Sequence, residues 1–145
     1  MAGESGARQV VLEFIEARNA HDHVRAGRLL AEDLEWRVAR SAGPPLRGRT
    51  AIEALVGGLS SRLFQPSTVR RDVRRVLGDS DVVVVEYTVT GTTLSGNPYA
   101  NDYCWIYDVR DDVITRITSY SDTLSARTAF GADQLAAGLA EVRRR

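Results

Sequence analysis

Lysine is absent from this sequence, and every one of its 19 basic residues is an arginine. A Schiff base needs a primary amine as the nucleophile, which arginine does not provide, so covalent catalysis through an amine side chain is excluded. Cysteine is nearly absent as well. Cys104 stands alone, so an intramolecular disulfide and Cys-x-x-Cys metal or redox sites are excluded too.

Net charge is also missing, because 19 acidic residues balance the 19 arginines. A chain without a net field is a poor match for nucleic acid or an anionic membrane, so neither is expected as a partner. No apolar run approaches the thickness of a bilayer, and segment 1–18 lacks the unbroken apolar core of a signal peptide. We therefore expect a cytoplasmic protein.

Motifs for bound cofactors are missing in the same way. The sequence has no glycine-rich phosphate loop, no Gly-x-Ser-x-Gly motif and no ligand spacing typical of a metal site. His21 and His23 lie at an expected turn with a spacing that suits a metal poorly, so we expect both to face solvent. The sequence thus implies no cofactor and no metal.

What the chain does have is the length and composition of one domain, residues 1–145, with 43% hydrophobic residues. Helical periodicity dominates its first part and its end. The expected elements there are a first helix with Val10, Val11, Phe14, Ile15 and Arg18 on one face, a second helix at about Val24–Ala31, a strand at Leu34–Arg40, a third helix that starts with the capping box Thr50–Glu53, and a C-terminal helix at about Ala132–Arg143.

The region between Thr68 and Asp122 changes to the alternating, β-branched pattern of strands. Short links rich in Gly, Asp, Ser and Asn separate the strands, which favours antiparallel pairing. Helices followed by a meander predict an α+β fold with the helices packed on one face of the sheet. The expected strands are Val69–Leu77, Val82–Thr93, Tyr99–Val109 and Val113–Asp122.

Four stretches in order carry a family resemblance: residues 11–22, which end in Asn19-Ala20-His21-Asp22, residues 29–36, residues 48–52, and residues 114–122, with a Tyr-x-Asp ending. Together they resemble the nuclear transport factor 2-like superfamily, which includes ketosteroid isomerases and SnoaL-like polyketide cyclases. The resemblance implies a cone-shaped, curved antiparallel sheet packed against N-terminal helices and enclosing one pocket. It also implies a homodimer formed through the outer face of the sheet.

The functional residues of ketosteroid isomerases carry over to this sequence only in part. Those enzymes combine an aspartate base with an oxyanion hole. The resemblance puts their helix tyrosine at Phe14 and their base at Val38, and neither side chain can exchange a proton. A second oxyanion donor falls on Asn101, which can still donate through its amide. The isomerase mechanism itself is therefore not expected.

An aromatic row in the third long strand is the expected pocket wall. Tyr99, Asn101, Tyr103, Trp105 and Tyr107 alternate onto one face, and the resemblance indicates that this face points inward. Asn101 would fix a ligand carbonyl in a pocket for a flat organic molecule. The alternative is a core row in which Asn101 bonds to backbone. The other expected pocket residues are Phe14, Trp36, Val38, Tyr103 and Trp105.

The expected proton carrier is a carboxylate, because the resemblance to SnoaL-like cyclases implies an acidic residue in ring closure. Asp122 is the first candidate, and Arg116 and Tyr120, on the same face of the last strand, would bind substrate. An apolar pocket would raise the pKa of Asp122. Glu86 is the second candidate. The alternatives are a capping or ion-paired Asp122 and a Glu86 that is solvated or lies on the dimer face.

These observations favour a cofactor-independent SnoaL-like cyclase or isomerase. It would transfer a proton on a small, largely apolar, carbonyl-containing metabolite of polyketide or terpenoid type. The alternative is a non-catalytic small-ligand-binding or dimerisation module of the same fold. Loss of both isomerase carboxylate positions favours this alternative.

Overall fold

The computed structural model describes residues 2–78 and 80–144, without the side chains of residues 2–5, 132 and 133. Short 3-10 turns at Arg40–Ala42 and Ser60–Arg62 and a wide helical turn at Ala54–Gly58 connect the main elements. Those elements are α1 (Ala2–Asn19), α2 (His23–Arg28), β1 (Leu30–Arg37), β2 (Leu46–Arg47), α3 (Gly48–Glu53), β3 (Arg70–Leu77), β4 (Val82–Thr92), β5 (Pro98–Arg110), β6 (Val113–Ser121), α4 (Thr123–Phe130) and α5 (Ala132–Arg143).

The six strands form one curved, unclosed sheet in the order β2-β1-β6-β5-β4-β3. The three hairpins of the meander, from β3 to β6, are antiparallel, as their short connections require. β1 pairs with β6 in parallel. A parallel pair needs a long connection, and here the connection contains α3 and the strands β3, β4 and β5. The predicted α+β fold is confirmed, with this one parallel pair as the difference.

The concave side of the sheet is filled by α1. Its apolar face predicted from the periodicity is confirmed, because Val11 and Phe14 are fully buried and the helix contacts β3, β4, β5 and β6. The ring of Phe14 meets that of Tyr107 edge to face at 6.3 Å between centroids. None of the described helices is both long and apolar enough to span a membrane.

Two predictions for the middle of the chain were wrong in their boundaries. β1 begins at Leu30, inside the segment predicted as the second helix, because α2 ends at Arg28. α3 begins at Gly48 after Arg47, which caps it with no side-chain hydrogen bond, so Thr50 lies inside the helix and forms no capping box.

The third helix also ends early. Its path breaks at Val56 and at Gly57, whose φ of 119° is accessible to glycine and costly for other residues. A Cβ atom at Gly57 would lie 2.7 Å from Cε1 of His23, so a larger residue there would also require the exposed His23 ring to move. The break brings the backbone of residues 56–58 against α2.

Helix α4 was not predicted. Asp122 forms its N-cap, with its carboxylate accepting hydrogen bonds from the backbone N–H groups of Leu124 and Ser125. The predicted last strand therefore ends one residue early, at Ser121. The C-terminal helix lies at the predicted residues, Ala132–Arg143.

Candidate functional site

The register of β5 with its neighbours decides which side chains face the concave side. Directly opposed residues of an antiparallel pair share a face. The inner row of β5 is buried at Tyr99, Asn101, Trp105 and Tyr107, which confirms the predicted inward face. Because Trp105 is opposite Val85 on β4 and Ser119 on β6, those two residues face inward as well.

Two adjoining cavities lie on this concave side. The inner one, called the chamber below, has a volume of about 120 Å³ and is walled by aromatic side chains, among them Trp36, Tyr87, Tyr103, Trp105 and Phe130. The outer one, called the vestibule, has a volume of about 350 Å³ and includes exposed residues of the α1–α2 turn and of loop 65–67. The residues that line both cavities are Arg18, Ser60, Phe64, Val69 and Arg71.

Arg18 comes from the last turn of α1 and is held on three sides. Its Nε donates to the carbonyl of Leu55 at 3.1 Å. Its guanidinium carbon lies 5.5 Å from the ring centroid of Phe14 and 5.4 Å from that of Trp105, which are cation–π distances. Its Nη1 is buried and has no hydrogen-bond partner. Burial lowers the pKa of Arg18, and nearby tyrosines, Tyr87 foremost, oppose that shift.

Arg71 reaches the same place from β3, and Asn19 determines its position. The Asn19 side chain bonds the Arg71 backbone twice: Nδ2 donates to the carbonyl at 2.9 Å, and Oδ1 accepts from the N–H at 2.8 Å. This clamp joins the end of α1 to β3. The Arg71 side chain is buried, with 7% of its surface exposed. Burial, and after it the charge of Arg18, lowers the pKa of Arg71 to about 9.

The two arginines have no acidic counterpart in the cavities. Among the described residues that line the chamber and the vestibule there is no aspartate and no glutamate. Neither guanidinium forms an ion pair with a described residue. The exposed His21 and His23 line the vestibule. Two buried cations without a counterion give this region a positive potential, which suits an anionic group. Such an arrangement is costly when no anion is bound.

The two tryptophans of the chamber differ in their hydrogen bonding. Nε1 of Trp36 donates to Oγ of Ser119 at 2.7 Å. Nε1 of Trp105 is buried without a partner, although the two rings are neighbours at 5.5 Å. A buried donor without an acceptor costs about 1–3 kcal/mol, so an acceptor atom of a ligand would recover that cost. Trp105 and Arg18 are thus two chamber residues with unused donors.

A hydroxyl network extends from the chamber wall to the end of β6. The Tyr99 and Tyr103 hydroxyls are hydrogen-bonded at 2.7 Å, and the ring of Tyr103 stacks on Tyr87. Burial raises the pKa of Tyr103 and of Tyr99, so both keep their protons near neutral pH. Nδ2 of Asn101 donates to the Tyr99 hydroxyl at 2.8 Å and to the carbonyl of Asp122 at 2.9 Å.

Asn101 therefore does not have the predicted role of donor to a ligand carbonyl. Both amide protons are used within the protein, and its unpartnered atom is the acceptor Oδ1. It supports Tyr99 and, through it, Tyr103, instead of donating directly to a ligand carbonyl. This matches the alternative in which Asn101 bonds to backbone. Of the predicted pocket residues, Trp36, Val38, Tyr103 and Trp105 line the chamber, whereas Phe14 lies beneath Arg18.

The structure corrects the predictions for β6. Because Ile117 and Ser119 face inward, Arg116 and Tyr120 lie on the outer face, and Tyr120 is 59% exposed. Arg116 pairs there with Glu35 at 3.0 Å. Asp122 is exposed as the α4 cap, and hydrogen bonds from Ser125 and then Leu124 lower its pKa, the opposite of the predicted shift.

Glu86 belongs to the outer face for the same reason. It is opposite Cys104 on β5, one residue away from the inner row, and it pairs with Arg75 at 3.2 Å. Neither Asp122 nor Glu86 lines the chamber or the vestibule. The predicted alternatives, a capping aspartate and a glutamate on the outer face, describe their positions.

Three site residues were missed by the sequence reasoning: Arg18, Arg71 and Asn19. Arg18 had a usable signal, a charge on an otherwise apolar helix face. Asn19 is part of the quoted Asn-Ala-His-Asp stretch, in which Asp22 caps α2. Arg71 had no signal, because the run at residues 70–75 has arginines on both faces of its strand. Among the described residues, no group of three or more His, Cys, Asp or Glu could hold a metal ion.

Comparison with protein families assigns the chain. The model of the SnoaL-like domain family matches residues 11–117, well over half of the sequence. The protein therefore belongs to the SnoaL-like domain family, which confirms the resemblance seen in the sequence. A comparison with curated proteins finds no match.

Solved structures share the fold. Bal32a from a soil-derived mobile gene cassette has a TM-score of 0.76 and 19% identity, covering 88% of this chain and 98% of its own. A protein assigned as a SnoaL-like polyketide cyclase from Jannaschia sp. CCS1 has a TM-score of 0.77 and 17% identity, over 91% and 96%. TerC, co-crystallised with polyporic acid, has a TM-score of 0.75 and 20% identity, over 88% and 99%. At these identities the similarity establishes the nuclear transport factor 2-like fold.

Proposed function

We propose that this protein is a cofactor-independent cyclase or isomerase that promotes enolisation of a small, largely apolar, carbonyl-containing metabolite. The observation that carries the proposal is the pair of unused buried donors, Nη1 of Arg18 and Nε1 of Trp105, on residues of one aromatic chamber. Donors fixed in an apolar cavity stabilise the negative charge that develops on a carbonyl oxygen when the adjacent carbon loses a proton.

The chamber supplies the other requirements of such a reaction. Flat rings at Trp36, Tyr87, Tyr103 and Trp105 suit a conjugated ligand. The Tyr103 hydroxyl, supported by Tyr99, adds a neutral donor on the same wall. The family and the neighbours support a cyclase or isomerase, and one neighbour was co-crystallised with an acid, polyporic acid.

The proton is carried differently from the sequence prediction. Asp122 and Glu86 both lie away from the cavities, so we propose that the substrate proton leaves to water in the vestibule. The cationic Arg18 would stabilise the enolate that this step leaves. Pairing of two chains into a homodimer and a cytoplasmic location remain predictions from the sequence.

The first test is deuterium exchange at the carbon next to the carbonyl of 1-tetralone and 1-indanone, followed by NMR in D₂O. We expect the wild-type protein to accelerate exchange over buffer. Trp105→Phe keeps the ring and removes the donor, and should lower the rate by about 10²-fold, as found for single oxyanion donors. Trp36→Phe is the matched control, because its N–H is already bonded to Ser119. No acceleration with either ketone would contradict the proposal.

The alternative function is a binding module of the same fold. The absence of an acidic residue among the described residues that line the cavities favours it. A binding module would hold ligands in the chamber without accelerating exchange. The exchange measurement therefore separates the two functions directly.

A further inference from the structure

We infer that the natural ligand of this protein carries an anion shared by two oxygen atoms, bound by Arg18 and Arg71 where the chamber meets the vestibule. A carboxylate and an ionised β-dicarbonyl both have this chemistry. The inference rests on the proposed function only in placing the ligand in the chamber. It adds the substrate class and a second binding residue, Arg71, beside Arg18.

Position is the first support. Arg18 and Arg71 come from different elements, α1 and β3, and both line the chamber and the vestibule. Both side chains therefore border the junction of the two cavities, next to the aromatic wall. An anion held at this junction would orient an apolar ligand with its rings inward.

Charge is the second support. The described lining residues of both cavities include these two arginines and no carboxylate. Each guanidinium raises the electrostatic cost of the other, and an anion between them would remove that repulsion as well as part of the desolvation cost.

Geometry is the third support. A guanidinium is a planar fork that binds two oxygen atoms of one anion at once. The Leu55 carbonyl accepts from Nε of Arg18, which leaves its terminal nitrogens for other acceptors, and Nη1 has none. The Asn19 clamp fixes the backbone of Arg71 relative to α1, so the strand position that carries the second fork is held in place before a ligand arrives.

The test is isothermal titration calorimetry at pH 7.5 with three probes: 1-naphthoate, the neutral 1-naphthamide of the same shape, and the enolate of 2-phenylcyclohexane-1,3-dione. At least one anion should bind about tenfold more tightly than the amide, as a charge-assisted hydrogen bond in place of a neutral one would give. Which of the two anions binds distinguishes the carboxylate from the β-dicarbonyl. Equal or weaker binding of both anions overturns the inference.

Variants then test the residues. Arg71→Met should remove the preference for the anion over 1-naphthamide, whereas Arg71→Lys, which keeps the charge, should retain a preference. Arg18→Met removes the other guanidinium and should also reduce the preference for the anion. Arg75→Met, on the outer face, is the matched control and should behave as wild type. A preference that survives both Arg71→Met and Arg18→Met overturns the inference.

The exchange assay tests the proposed enzyme and the titrations test the anion site, so a negative result in one does not decide the other. An anion preference without accelerated exchange sustains the inference and rejects the proposed enzyme. Accelerated exchange without an anion preference does the reverse.

Discussion

The arginines on the outer face of this sheet and those at its inner face, one of them from α1, differ in their partners. On the outer face, Arg70 pairs with Asp72 at 2.9 Å, Arg75 with Glu86 at 3.2 Å, and Arg116 with Glu35 at 3.0 Å. On the inner face, Arg18 and Arg71 are buried beside tyrosines and tryptophans and form no ion pair with a described residue. The same side chain is thus used in two opposite ways.

The difference separates residues that serve the fold from residues that serve a ligand. Each exposed ion pair contributes only about 0–1 kcal/mol to stability, so the outer pairs change the free energy of unfolding little. A buried charge without a counterion works against folding. We interpret the inner arginines as functional because a bound anion would offset the cost of burying two neighbouring cations.

The largest effect outside the arginines is expected at Asn19. Asn19→Ala removes two hydrogen bonds between α1 and β3 and leaves a part-buried N–H and carbonyl of Arg71 without partners. The free energy of unfolding should fall by about 2–3 kcal/mol, measured by urea denaturation.

The titration with 1-naphthoate should weaken in the same variant, because Arg71 loses its fixed position. Asn97→Ala is the matched control, since the Asn97 side chain makes one exposed hydrogen bond to Ser95. If Asn19→Ala unfolds like the control and binds like wild type, the clamp has no role in arranging the site.

A smaller effect is expected at Asp122. Its pKa is lowered in the fold, so its charge adds stability above the ordinary pKa of an aspartate, and that contribution is lost as the pH falls through the lowered pKa. Asp122→Asn should therefore lower the Tm at pH 7 by no more than about 2 °C, and by less at pH 3.

The exchange rate of Asp122→Asn should equal that of wild type, because the carboxylate caps α4 and lies outside the cavities. A hundredfold loss of rate at an unchanged Tm would show that Asp122 moves the proton after all, as the sequence had suggested.

The sequence was sufficient for the fold and for one wall of the site. Alternation in β5 predicts the inner row, because a period of two needs no knowledge of the neighbouring strands. The faces of β4 and β6 depend on register, and a shift of one residue exchanges them. This is why Glu86, Arg116 and Tyr120 were expected in the pocket and lie outside it.

The arginine pair lay beyond the sequence for a related reason. Arg18 and Arg71 are separated along the chain by α2, β1 and α3, and only the packing of α1 against β3 brings them together. No local pattern reports that contact. The helix break at Gly57 depends on a tertiary neighbour, His23, in the same way.

The central claim, that the inner arginines serve a ligand at the expense of the fold, is tested most directly by the stability of Arg71→Met. Arg71 has its pKa lowered to about 9, so at pH 7 the full cost of burying its charge is present. Urea denaturation without ligand should show Arg71→Met to be more stable than wild type by about 1–4 kcal/mol, the range found when buried charges are replaced by apolar groups. Arg75→Met, which breaks an exposed pair, should change stability by less than about 1 kcal/mol. An Arg71→Met protein that is less stable than wild type would contradict the claim.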